Sequence, residues 1–142
     1  MLTSKQHFQQ KKMLQTIAKQ LQKLRTDGPA LVIGTGEFMY VPMQIASYLG
    51  NDVYFQSTTR SPIYCTDDLG YTITEKIAFE SPENNGVDNY LYNIQSQSYT
   101  ELFFMVERIA SKEVVARVVN ELQILSNAKV YVICMHEWEV EQ

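Results

Sequence analysis

Ala30-Leu31-Val32-Ile33-Gly34-Thr35-Gly36-Glu37-Phe38, and further on Val53-Tyr54-Phe55-Gln56-Ser57-Thr58-Thr59-Arg60-Ser61-Pro62, are the stretches from which the fold is read. The apolar run Ala30 to Ile33 stops at a glycine pair, as a buried strand does when it turns into a loop. From Met39 to Leu49 the apolar residues Met39, Met43, Ile45, Ala46 and Leu49 recur at helical spacing, and Gly50-Asn51-Asp52 ends that helix. Val53-Tyr54-Phe55 then opens a second strand, whose far end delivers Ser57, Thr58, Thr59, Arg60 and Ser61 to a loop closed by Pro62. A helical crossover of this length joins parallel strands. Both strand-end loops therefore open on one edge, the edge where open α/β sheets bind ligands.

Outward from this unit the pattern alternates between clear and weak. Leu14, Ile17, Leu21 and Leu24 make Gln6 to Arg25 an amphipathic helix that ends before Asp27-Gly28-Pro29. Ile63 to Gly70 is a polar, turn-like excursion, and Tyr71 to Phe79 reads as a strand or an extended arm. Ser81-Pro82-Glu83-Asn84-Asn85-Gly86 breaks it with turn chemistry, and Tyr90 to Ile94 fits a short strand or a helical turn. Leu102-Phe103-Phe104-Met105-Val106 is a central strand, buried on both faces. A helix over Val114 to Leu125 and a last buried strand, Val130 to Cys134, precede an acidic tail, Glu137 to Gln142, around Trp138. The fold expected is α/β, a three-layer sandwich around a mostly parallel, Rossmann-like sheet of about five strands. Residues 1–28 form a basic amphipathic helix, either a connector or a packed helix, and residues 29–142 form the α/β domain.

At 142 residues the chain is one domain with enough length to bury a continuous core, and 45% hydrophobic with 20% charged residues is ordinary soluble globular composition. Cys65 and Cys134 lie far apart with no paired spacing, which argues against a disulfide framework or a zinc site. With no run of signal-peptide or membrane-spanning length, a cytoplasmic setting is expected. Met1 to Gly28 holds six of the 12 basic residues against one acid, a net +5, so the net charge of −4 leaves −9 on the remainder. That acidic body repels nucleic acid, and the basic helix has its own simple reading, a packed stripe with a solvated lysine face.

The chemistry concentrates at three places. Gly34-x-Gly36 after a strand invites a nucleotide reading, but position 39 is Met where a dinucleotide fingerprint needs its third glycine, and no Gly-Lys-Ser/Thr follows. Two glycines still let backbone approach a ligand, and the free N–H groups at the start of the following helix suit phosphate or carboxylate, with Pro42 in its first turns. Glu37 in that loop is either a helix-start acid favoured by the dipole, or a group that binds ribose hydroxyls, faces a metal or accepts a proton. Arg60, the only cation between Gly28 and Lys76, stands among Thr58, Thr59 and Ser61, the donor set of a phosphate or carboxylate clamp; its simpler role is to pin the loop or pair with Asp67 or Glu37. Asp88, Asn89 and Asn93 form the third patch, with Tyr90 and Tyr92 able to stack on a base or sugar, though Asn and Asp after Gly86 are also turn formers. Asp67-Asp68 reads as a solvated turn, and Cys134-Met135-His136 as a core strand end rather than a nucleophile and base. His7 and His136 are the two histidines, too few and too far apart for a histidine metal cluster, and no cofactor is named by the pattern.

Gly34-Thr35-Gly36-Glu37-Phe38-Met39-Tyr40, then Thr58-Thr59-Arg60-Ser61-Pro62, then Asn85-Gly86-Val87-Asp88-Asn89-Tyr90-Leu91-Tyr92-Asn93 resemble, in order and spacing, the TRSP domain, named for Thr59-Arg60-Ser61-Pro62 as they stand here. The resemblance covers most of Ala30 to Asn93. It implies a bacterial domain found C-terminal to a phosphoribosyltransferase domain, in gene sets associated with tellurite resistance and stress, and it favours a ligand role for Arg60. The expected site is then Gly34, Thr35, Gly36, Phe38, Thr58, Thr59, Arg60, Ser61, Asn89 and Asn93 on the ligand, with Glu37 and Asp88 as acid/base candidates and no metal ligand. Two functions follow. One is recognition of a phosphorylated sugar or nucleotide-like molecule; the other is a non-catalytic module that docks on its phosphoribosyltransferase neighbour through the amino-terminal helix.

Overall fold

A computed structural model describes residues 2–136. Strands β1 (Ala30–Gly34) and β5 (Glu101–Val106) are buried at every position, the setting that a continuous apolar run requires. They form the middle of a parallel four-stranded sheet in the order β2-β1-β5-β6, with β2 (Val53–Ser57) and β6 (Lys129–Cys134) at its edges. Side chains alternate across it. Ala30, Val32, Phe103 and Met105 face the helices α1 (Ser4–Gln22) and α2 (Tyr40–Tyr48), whereas Leu31, Ile33, Leu102, Phe104 and Val106 face α3 (Lys112–Ser126) and a hairpin. Three layers result, as the sequence implies.

The parallel sheet has four strands, close to the five or so expected, and the remaining two form a hairpin beside it. Strands β3 (Lys76–Glu80) and β4 (Asp88–Tyr92) pair antiparallel as a separate two-stranded sheet. In β3 the exposed Lys76 and Ala78 alternate with the buried Ile77 and Phe79. A strand with one apolar face suits a covering layer and cannot serve as a central strand. Phe79 meets Phe104 edge-on, with ring centroids 6.0 Å apart, which seats the hairpin on β5.

Helix α1 opens on a capping box, Thr3 accepting from the Gln6 N–H while the Gln6 side chain returns to Thr3, and buries Leu14, Ile17, Ala18 and Leu21 in the core. A tighter turn beyond Gln22 carries the chain to Arg25, whose N–H donates to Gln22 O at 3.1 Å and whose guanidinium donates to the carbonyls of Gly28 (2.7 Å) and Asn51 (3.1 Å) and lies 3.6 Å from Glu101. Glu101 is fully buried at the start of β5. Burial pushes its carboxyl upward, but hydrogen bonds from the Thr26 and Thr100 hydroxyls and the Thr26 N–H, together with the Arg25 charge, outweigh burial and hold it below its ordinary range. This cluster ties the amino-terminal edge of the sheet together. The acidic tail around Trp138 lies outside the described residues, and no helix among those described is long and apolar enough to cross a membrane.

Candidate functional site: a polar crevice at the switch point of the sheet

Strand β1 continues through α2 to one edge of the sheet and β5 through α3 to the other, so the direction of winding reverses between them. Beyond the carboxyl ends of adjacent strands at such a reversal the loops part and leave a crevice. Here it measures about 220 Å³. Gly36, Glu37 and Phe38 enter from the β1 loop, Arg60 from the β2 loop, and Glu107 and Arg108 from the end of β5. Ser81, Glu83 and Asn84 come from the hairpin turn and Asn89 from β4.

The β1 loop is built by its two glycines for different reasons. A side chain on Gly34 would stand 2.7 Å from the Phe38 carbonyl, because the loop folds back in a tight turn whose Phe38 N–H donates to Thr35 O at 2.8 Å. Gly36 has φ +53° and open space around its α-carbon, so there the backbone angle and not crowding selects glycine. Thr35 is buried, and its hydroxyl donates to Glu83 at 2.6 Å; the same carboxylate oxygen accepts from the Glu107 N–H at 2.8 Å. Glu83 therefore braces the ends of β1 and β5 against the hairpin.

The Thr58 to Ser61 loop divides its labour. Thr58 is buried and its Oγ1 accepts from the Gly36 N–H at 2.9 Å, while its own N–H donates to Gly34 O at 2.9 Å. Thr59 exchanges two backbone hydrogen bonds with Tyr90 of β4, at 3.1 and 2.8 Å, and shares a hydroxyl contact with Tyr92 at 2.8 Å. Ser61 offers its carbonyl to Thr59 and Tyr92. Arg60, between fastened neighbours, is exposed at the crevice and takes part in neither ion pair found among the described residues. Thr58 and Thr59 hold the loop from which the arginine projects.

Of the residues picked out from the sequence, Gly36, Glu37, Phe38, Arg60 and Asn89 come together in the crevice. Gly34, Thr35, Thr58 and Thr59 stand behind it as supports, and Ser61 lies outside its lining. Asp88 is exposed on the opposite face of β4 from Asn89, since neighbouring strand residues alternate. Asn93 sits about 13 Å along the chain from Asn89, at φ +56°, where its side chain accepts from the Thr74 and Glu75 N–H groups at 3.0 and 3.1 Å. It shapes the turn into β3. Tyr92 spends its hydroxyl on the Arg60 loop and Tyr90 lies under the Lys76 ammonium, so neither forms an aromatic wall to the crevice. The start of α2, expected as an anion site, also falls outside the lining, which reaches only to Phe38. Cys134 Sγ approaches Glu107 O at 3.8 Å, and among the described residues no His, Cys, Asp and Glu groups gather to hold a metal.

Arg108, Glu107, Ser81, Glu83 and Asn84 were not picked out. Arg108 carried a readable signal, because it follows the apolar run Leu102 to Val106 and parallel strands deliver their ends to one edge. The crevice thus holds two exposed guanidinium groups, Arg60 and Arg108, arriving from strands on either side of β1, with exposed carboxylates at Glu37 and Glu107.

The sequence model of the family described as "TRSP domain C terminus to PRTase_2" matches residues 2–122. The chain belongs to this family of domains associated with phosphoribosyltransferases. No match emerges among curated protein sequences. Among solved structures it is similar to a hypoxanthine phosphoribosyltransferase from Staphylococcus aureus, with a TM-score of 0.56 at 6% identity, over 88% of this chain and 61% of that one. A hypothetical protein from Neisseria gonorrhoeae with bound ppGpp aligns over 87% of this chain and 65% of its own, at 10% identity and a TM-score of 0.45. The chain spans less than two thirds of the length of either structure. The first likeness establishes a phosphoribosyltransferase-type α/β fold.

Proposed function

We propose that the crevice binds a compact phosphorylated sugar or nucleotide-like anion, in a domain that works beside a phosphoribosyltransferase domain. The observation that carries this reading is the arrival of Arg60 and Arg108 from separate loops at the switch point, neither of them in an ion pair among the described residues. Guanidinium groups donate in a planar fork that matches phosphate oxygens. A volume of about 220 Å³ lies below the roughly 300–1,000 Å³ of common small-molecule sites, which favours a sugar phosphate over a dinucleotide. Glu37, exposed on the rim and unable to share phosphate, faces the hydroxyls or accepts a proton.

Calorimetric titration with phosphoribosyl pyrophosphate, ribose 5-phosphate and nucleotides tests the reading. Saturable binding to at least one of them, weakened about 10- to 100-fold by Arg60→Ala, supports it; no binding to any removes it.

The second reading, a non-catalytic module docking on the phosphoribosyltransferase neighbour, draws on one feature of α1. Phe8 is 61% exposed and Tyr40 56%, and they flank a groove with His7, Lys11, Gln44 and Tyr48. Association with the partner domain that is lost in Phe8→Asp, without loss of sugar-phosphate binding, would assign docking to this surface.

A further inference from the structure

Asn89 holds a position where an apolar residue would be ordinary. It lies on the sheet-facing side of β4 with Leu91, opposite Phe79 in the hairpin register, and is 3% exposed. Its amide can make up to four hydrogen bonds, yet it makes none with the side chains or backbone of the described residues, and the small surface it retains opens into the crevice. The amide is thus open to the crevice and uncommitted among the described residues, which leaves it available to pair with a bound molecule.

The chemistry of that partner follows from what the amide offers beside two arginines. Phosphate oxygens need donors only, and Arg60 and Arg108 supply them in excess. An amide that both donates and accepts fits a group that does the same, such as a sugar hydroxyl. The spacing is also fixed, because Tyr90, the chain neighbour of Asn89, exchanges two backbone hydrogen bonds with Thr59, the chain neighbour of Arg60. We propose, building on the ligand reading of the crevice, that Asn89 is its specificity-determining residue: it binds a hydroxyl of a sugar phosphate whose phosphate is held by the arginines, and so separates sugar phosphates from free phosphate.

The test titrates inorganic phosphate and ribose 5-phosphate into the wild-type protein and into Asn89→Leu, which keeps the volume and removes the hydrogen bonding. Ribose 5-phosphate is expected to bind the wild type at least about tenfold more tightly than phosphate, and Asn89→Leu to abolish that advantage while leaving phosphate affinity within about twofold. Because the variant could also disturb folding, the side-chain amide resonances of Asn89 in the wild type supply an independent readout, shifting with ribose 5-phosphate and not with phosphate. Equal losses for both probes in Asn89→Leu, or resonances that ignore the sugar, overturn the role of Asn89 and leave the crevice a phosphate site. Failure of both probes to bind the wild type overturns the ligand reading and this role with it.

Discussion

The Gly36 N–H donates to the Thr58 hydroxyl at 2.9 Å across the gap between two strand-end loops. One hydrogen bond thereby makes the glycine turn and the arginine loop a single rim. The return bond, Thr58 N–H to Gly34 O at 2.9 Å, extends the β1–β2 pairing past the end of β2. The rim is part of the sheet, and Arg60 inherits that rigidity.

Thr58→Val keeps the shape of the side chain and removes the acceptor. The expected cost is about 1 kcal/mol of stability, with weakened ligand binding from a freed Arg60 loop. Chemical denaturation and calorimetry on the same samples measure both. Unchanged stability would show that the hydroxyl does not hold the rim.

The two loop glycines should respond differently to alanine. Gly34→Ala forces a methyl group against the Phe38 carbonyl, 2.7 Å away, and must open the turn; overpacking of this kind costs about 1–3 kcal/mol. Gly36→Ala meets nothing and bears only the left-handed backbone angle, about 1 kcal/mol. Melting temperatures that rank Gly34→Ala as the milder change contradict this account of the turn.

Tyr92→Phe should loosen the long excursion after Pro62. The Tyr92 hydroxyl accepts from the Ile63 N–H at 2.9 Å and contacts Thr59 Oγ1 at 2.8 Å, so its loss frees the base of that loop. Faster amide hydrogen exchange at residues 61–66, with the sheet unchanged, is the expected result. Slow exchange there would mean that other contacts hold the segment.

Stability should fall with acid through Glu101. Its carboxyl is held below the ordinary value of 4.5, so the folded state favours the charged form. That contribution is complete above about pH 4.5 and disappears as the pH drops through the lowered folded value. Glu101→Gln should cost about 1–3 kcal/mol near neutral pH by removing the counter-charge of the half-buried Arg25 and weakening the hydrogen bonds from Thr26 and Thr100, and should flatten the acid limb of the pH–stability curve. Parallel acid limbs for variant and wild type would place the acid sensitivity elsewhere.

The sheet was legible in the sequence where burial on both faces leaves no ambiguity. Ala30 to Ile33 and Leu102 to Val106 read as central strands because nothing polar interrupts them, and Leu14, Ile17 and Leu21 marked the packed face of α1. The hairpin was not legible as a separate sheet, since alternation in Lys76 to Glu80 gives a strand without naming its partner. At the site, edge logic located the Gly36 and Arg60 loops correctly relative to each other. It equally implied Arg108, whose value emerges only once β5 is seen beside β1. Asp88, Asn89 and Asn93 looked like one patch because they are close in sequence. A strand separates such residues by face and by length, and Asn89 is the one that reaches the crevice.

The most direct measurement is a double-mutant cycle for ribose 5-phosphate binding with Arg60→Ala, Arg108→Ala and the pair. Convergence of both guanidinium groups on one phosphate predicts that each single change weakens binding about tenfold or more, and that the combined loss departs from the product of the two. Undiminished affinity in Arg108→Ala, or two losses that multiply without coupling, would contradict a shared anion at the switch point.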